Sequence, residues 1–191
     1  RVKKSELISD GFDLNQIKQV CYEARASKSF FDIKNNEAIR IEVEDGKPFI
    51  LKPSNQVVCV TMEYFDIPLN IIARILLVGH YFPLGIAPVN TYADPGFKGK
   101  LGIVFTNTSK NYIKICPGEP IAKIEFSLLS SASTDGYVGQ YGGKALIWPY
   151  RKDLIASQEF LKKENIDVFS DNELAAIHGD VLQKTISSAR K

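Results

Sequence analysis

Between about residue 30 and residue 129 the chain is built from short apolar runs, each stopped by a turn signal after roughly ten residues. That rhythm leaves little room for long helices and points to many short strands. Ile39-Arg40-Ile41-Glu42-Val43 alternates apolar and polar residues, the period of a half-buried strand, and Glu44-Asp45-Gly46-Lys47 turns the chain. Phe49-Ile50-Leu51 runs into Pro53-Ser54-Asn55, a second turn. Val57-Val58-Cys59-Val60-Thr61-Met62 is rich in β-branched residues and reads as a buried strand. Residues 71–78 are almost wholly apolar, broken by Arg74, and fit a short helix or a buried strand. Stretches 102–107, 112–116 and 122–129 complete the set. The expected class is mainly β, a sandwich or a barrel.

The flanks read differently. Residues 1–20 look like a short helical lead-in, with Leu7, Ile8, Leu14 and Ile17 as apolar contacts and Gly11 interrupting them. Residues 130–143 are small and polar and read as a loop. Beyond Pro149, residues 153–164 and 170–187 read as helices. Ser170-Asp171-Asn172-Glu173 is a capping box, and Leu174, Ile177, Val181 and Leu182 follow on one apolar face. The division expected is a β-domain over 1–149 and a helical extension over 150–191, the latter a candidate surface for a protein partner.

Composition removes several function classes. Apolar residues make up 45% of the 191, enough for a core, so global disorder is not expected. Net charge is only +2, with both signs interspersed, which argues against nucleic acid as a partner. No apolar run reaches membrane-spanning length. Cys21, Cys59 and Cys116 are widely spaced without a CxxC pair, so a metal site is not expected and a reducing, cytoplasmic setting is. The first residue is Arg1 rather than Met, which leaves processing, trimming and excision from a longer chain all open.

The residues most suggestive of chemistry are Asp94-Pro95-Gly96-Phe97-Lys98-Gly99, followed by Lys100-Leu101-Gly102-Ile103-Val104-Phe105-Thr106-Asn107 and then by Pro117-Gly118-Glu119-Pro120. Upstream stand Tyr22-Glu23-Ala24-Arg25, Phe49-Ile50-Leu51-Lys52-Pro53 and Thr61-Met62-Glu63-Tyr64-Phe65-Asp66-Ile67-Pro68. In this order and spacing they resemble the dCTP deaminase and trimeric dUTPase superfamily over most of residues 5–144. The resemblance implies a distorted β-barrel or jelly roll, a homotrimer, and a pyrimidine deoxynucleotide held at the hairpin 85–99. It nominates Gly85, Asn90, Thr91, Tyr92, Asp94, Phe97, His80 and Tyr141 as nucleotide contacts. Glycines there let backbone approach a ligand closely. Phe97 is either the aromatic beneath the sugar or simply core. Asp94 is either a general base for an attacking water, as in the dUTPase branch, or a turn residue whose carboxylate accepts nearby amides.

The departures from that family pattern are as informative. Lys98 stands where the resemblance places the deaminase glutamate, and an ammonium has no lone pair with which to take a proton. In residues 77–85 the family's arginines and serines become Val78, Gly79, His80 and Pro83. Each lost guanidinium contact to a triphosphate is worth about 1.5–3 kcal/mol. In the lid, Tyr141 matches but Gly142 replaces a glutamine. The expected reading is a nucleotide-binding pseudoenzyme or an assembly domain. A working dCTP deaminase, or a dUTP pyrophosphatase hydrolase using Asp94 and Mg²⁺, is the rival, and an interaction module acting through residues 150–191 is the third.

Overall fold

The computed structural model describes residues 7–34, 37–139 and 152–166, together with residue 173. Contacts between Cα atoms divide the chain into Arg1–Tyr150 and Arg151–Lys191.

The first unit is β throughout. Among the described residues, nine strands form one sheet. Its main path runs β7 (Ile86–Pro88), β9 (Lys98–Asn107), β5 (Gln56–Asp66), β2 (Tyr22–Lys34), β11 (Pro120–Leu128), β6 (Ile71–Leu77) and β8 (Thr91–Ala93). β1 (Ile8–Asp10) adds to β5 and β3 (Glu37–Glu42) adds to β2. β4 (Phe49–Leu51) and β10 (Ile113–Ile115) pair separately. Among the described residues all strand pairings are antiparallel, as expected from turn-linked short strands.

The sheet curls into a half-barrel, and β2 changes partners along its length. Its start, Tyr22–Arg25, pairs with β11, while Ala26 and Phe30–Asp32 pair with β5. Register shifts mark the change in both ladders, and such irregularities increase local bend and twist. The path has another consequence. β7 and β8 are its two ends, and only Val89 and Asn90 separate them in sequence. One hairpin-like segment therefore links the two edges of the curl.

Inside the curl lie Tyr22, Phe30, Phe65, Phe105, Ile121 and Ile124, all buried. Phe30 stacks on Phe49 at 4.4 Å, and Tyr81 meets Phe105 edge-on at 5.3 Å. In β5, Val57 through Thr61 are buried without a break, which accounts for the uninterrupted apolar run. Residues 71–77 resolve to a strand. Ala73, Ile75 and Leu77 alternate inward while Arg74 faces out, and two β-branched residues start the segment.

The lead-in differs from the helix expected. Ile8–Asp10 is a strand on β5, and Leu14–Gln16 is one 3-10 turn. Leu7 and Ile8 are buried as expected, but Leu14 is 72% exposed. The segment is held by polar anchors instead. Glu63, fully buried, accepts from Arg25 Nε (2.8 Å), the Arg25 amide (2.9 Å) and the Tyr22 hydroxyl (3.2 Å). Arg25 then donates to the Gly11 carbonyl and to Asp13 Oδ2 (3.3 Å).

Burial pushes the Tyr22 phenol up to about 12, against the opposing Asp13 amide and with the Glu63 carboxylate adding to the rise. An unfolded tyrosine ionises near 10. The unfolded chain therefore loses this proton first as pH rises. The stabilisation is whole below pH ~10 and is lost towards ~12. Urea unfolding between pH 9 and 11.5 should show stability falling, by about 2–3 kcal/mol from Tyr22 once complete. Tyr22→Phe should reduce the fall without abolishing it, because burial also raises Tyr81. An identical slope in Tyr22→Phe would remove Tyr22 from the account.

In the second unit, α1 (Gln158–Lys163) is shorter than the helix read over 153–164. Ser157 Oγ caps it by accepting from the Phe160 amide at 3.1 Å. The turn Lys152–Leu154 precedes it. Glu173 is helical, but the rest of 170–187 lies outside the described residues, as does Tyr141. Among the described residues no helix is long and apolar enough to cross a membrane.

Candidate functional site

The segment linking the two sheet edges is built by local necessity. Residues Gly79–Leu84 form a 3-10 segment ended by Gly85 at φ 79°. A Cβ at Gly85 would lie 2.8 Å from Ser109 Cβ, so the position needs glycine for space and for backbone. The Gly85 carbonyl accepts from the Thr108 amide (2.9 Å) and hydroxyl (2.7 Å). Asn107, fully buried, fixes this corner. Its amide nitrogen donates to the Lys52 (3.1 Å) and Asn111 (2.7 Å) carbonyls, and its oxygen accepts from the Ser109 amide (3.0 Å) and hydroxyl (2.8 Å).

From there β7 pairs with β9, the chain crosses, and β8 pairs with β6 through Thr91↔Ile75 and Ala93↔Ala73. Asp94-Pro95-Gly96-Phe97 then closes a turn, with the Phe97 amide on the Asp94 carbonyl (3.0 Å). Two backbone bonds of 2.8 Å to Ile67 lock the turn to the sheet.

Behind this turn is a cavity of about 110 Å³, lined by Ile75, Thr91, Asp94, Phe97, Leu101, Gly102 and Tyr137, with Tyr92 and Ala93. Its walls are largely apolar. Among the described residues Asp94 supplies its one carboxylate, which is exposed and accepts no hydrogen bond. The turn is made by the Asp94 backbone, so its carboxylate does not act as the turn acceptor. Phe97 is 3% exposed and also lines the cavity.

Among the described residues, Thr91, Tyr92, Asp94 and Phe97 are thus brought together, while Gly85, Asn90 and His80 are not. Lys98 is 64% exposed and pairs with Asp66 at 3.1 Å, outside the cavity lining. His80 is exposed on the 3-10 segment with its ring 4.4 Å from that of Tyr81. Gly85 and Asn90 support the crossing and do not line the cavity. Sequence reasoning missed Ile75, Leu101, Gly102 and Tyr137 as walls. Tyr137 had only its place in an aromatic-glycine stretch to signal it.

A larger concavity of about 830 Å³ lies on the sheet face of Ser29, Val60, Met62 and Lys100. Its Lys28 pairs with Asp45 and its Arg40 with Glu42, so most of its charge is already neutralised. The smaller cavity is the better candidate because apolar walls and an available carboxylate converge on it. Among the described residues no group of three or more His, Cys, Asp or Glu could hold a metal. One carboxylate does not make a protein-held Mg²⁺ site, since that ion takes octahedral oxygen ligands and usually shares them with substrate phosphates.

The chain is similar to known proteins. A family model described as dCTP deaminase-like matches residues 7–129. A protein named dCTP deaminase, dUMP-forming, from Dictyoglomus thermophilum is 34% identical over 129 residues, covering 65% of this chain and 65% of that protein. One of the same name from Persephonella marina is 25% identical over 176 residues, 85% of this chain and 94% of that protein. The crystal structure of 2'-deoxycytidine 5'-triphosphate deaminase from Agrobacterium tumefaciens superposes with a TM-score of 0.55 at 12% identity, covering 63% of this chain and 42% of that one. At that identity it speaks for the fold alone. With the family model spanning most of the β unit, the chain belongs to the dCTP deaminase-like family.

Proposed function

We propose that this chain binds a pyrimidine deoxynucleotide in the cavity behind the Asp94–Phe97 turn and does not deaminate it. The supporting observation is the lining itself. Among the described residues it offers apolar walls and backbone for a flat base, one carboxylate at the mouth, and no lysine or arginine. Triphosphate binding draws on charge-assisted hydrogen bonds, and residues 78–83 supply only His80 as a potential cation. Binding is therefore weak and base-directed. Deamination needs a base to activate water and a group to return the proton, both within hydrogen-bond range. A carboxylate introduced by Lys98→Glu faces Asp66 rather than the cavity, so that variant stays inactive.

The test is a titration with dCTP, dUTP and dTTP, with and without Mg²⁺, beside an assay for ammonia. The expected outcome is saturable binding of pyrimidine nucleotides and no ammonia above the protein-free control. Ammonia release that disappears in Asp94→Asn would overturn the reading.

The Asp94 carboxylate, unbonded among the described residues, favours one second reading, hydrolysis of dUTP with Asp94 as the base for water. Mg²⁺ would then arrive with the phosphates and neutralise their charge. Pyrophosphate release lost in Asp94→Asn would select it. Self-association as a homotrimer is part of the proposal, because one interface used three times closes the assembly. Sedimentation should then give about three times the 21.3 kDa chain mass. A monomer at micromolar concentration removes it. Residues 150–191 are proposed as a separate extension, and the half-exposed Phe160 supports its use as a partner surface.

A further inference from the structure

Among the described residues, every wall of the cavity except one is held by a strand or by the locked turn. Ile75 is on β6, Thr91 to Ala93 on β8, and Leu101 and Gly102 on β9. Tyr137 alone comes from a strap that has no regular structure.

That strap is nonetheless fixed. The Leu129 amide donates to the Asn70 carbonyl (2.9 Å), the Ser133 amide to Leu69 (2.8 Å) and the Tyr137 amide to Pro95 (2.8 Å). Gly136 lies directly on Gly96, where a Cβ would stand 2.7 Å from Gly136 Cα. Two glycines thus let backbone seat on backbone and set the depth at which Tyr137 enters.

Its ring meets Phe97 edge-on, with centroids 5.6 Å apart at 66°. A flat ring needs about 3.5 Å on each of its faces. No base can slip between these two aromatics, so a ligand must lie beside them in the remaining 110 Å³. Phe97, 3% exposed, cannot yield without disturbing the core. The size of ring admitted is therefore set at Tyr137.

We propose that Tyr137 is a specificity-determining residue of this cavity, a steric gate that admits single-ring bases and rejects bicyclic ones. The proposal deepens the nucleotide reading and rests on it for the identity of the ligand, while the gate itself is a property of the cavity.

The experiment has two arms on the full chain. In the first, dCTP and dATP are titrated against wild type, Tyr137→Phe and Tyr137→Ala. In the second, indole serves as a bicyclic probe with neither sugar nor phosphate. The expected result is that Tyr137→Ala narrows the preference for dCTP over dATP by about tenfold or more and takes up indole. Tyr137→Phe should behave as wild type, because the ring and not the hydroxyl does the excluding. A wild type that binds no nucleotide, beside a Tyr137→Ala that takes up indole, ends the nucleotide reading and upholds the gate. A folded Tyr137→Ala that gains neither dATP nor indole overturns the gate, whatever wild type binds. If Tyr137→Ala does not fold, Tyr137→Leu is read by the same two arms.

Discussion

At fixed protein concentration, Glu63→Ala is expected to lose about 3–5 kcal/mol of stability in urea unfolding. Glu63 is fully buried, and three donors converge on it: the Arg25 guanidinium, the Arg25 amide and the Tyr22 hydroxyl. Removing the carboxylate leaves a mostly buried guanidinium with only the longer 3.3 Å pairing to Asp13, and an amide without its acceptor. The cost is therefore more than one lost hydrogen bond. Arg25 also holds Gly11 and Asp13, so hydrogen exchange in residues 7–17 should accelerate with the same substitution. Glu63→Gln should fall between, since its amide oxygen still accepts but carries no charge. Replacing both Arg25 and Glu63 with methionine should cost less than the two single losses added together, because neither charge is then stranded. A loss below about 1 kcal/mol in Glu63→Ala would mean that water already satisfies this cluster and that packing alone holds the lead-in.

The strand content was legible in the sequence because burial on both faces and turn chemistry leave marks at short range. Val57–Thr61 could hardly be anything but an interior strand, and its burial agrees. Residues 71–77 were ambiguous because an apolar run satisfies either period. Partners on both sides, β11 and β8, decided it. The lead-in misled for the converse reason. Leu7, Ile8, Leu14 and Ile17 were read together as the contacts of a helix, but Ile8 pairs with Phe65, a partner 57 residues away by their numbers. Glu63 could be quoted as part of a motif, yet nothing local showed that it would be buried against Arg25. The site divides in the same way. Asp94 and Phe97 belong to a turn that the sequence spells out. Lys98, the next residue, starts β9 directly opposite Asp66 and pairs with it. Tyr137 was invisible as a wall because its position depends on two distant glycines meeting.

That meeting predicts the second large effect. Gly96→Ala is expected to cost about 2–5 kcal/mol, from two sources. The first is backbone. Gly96 sits at φ 83°, in the left-handed region, which costs an alanine about 1–2 kcal/mol. The second is contact. The new methyl would lie 2.7 Å from Gly136 Cα and 2.7 Å from the Tyr137 nitrogen, both backbone atoms that cannot rotate away. Either the turn or the strap must shift, and overpacking of this kind costs about 1–3 kcal/mol. The strap is the weaker partner, since it is held by a few backbone bonds while the turn is locked into the sheet through Ile67. The Tyr137 amide should therefore lose its bond to Pro95 and exchange faster, while amides in β5 and β9 keep their order of protection. Gly46→Ala separates the two sources. Gly46 has φ 74° but nothing within 4 Å of a built Cβ, so it bears the backbone cost alone. The excess of Gly96→Ala over Gly46→Ala then measures the glycine-on-glycine contact. Equal losses in the two variants, with Tyr137 exchange unchanged, would show that the strap does not rest on the turn and that Tyr137 is not held at the cavity by it.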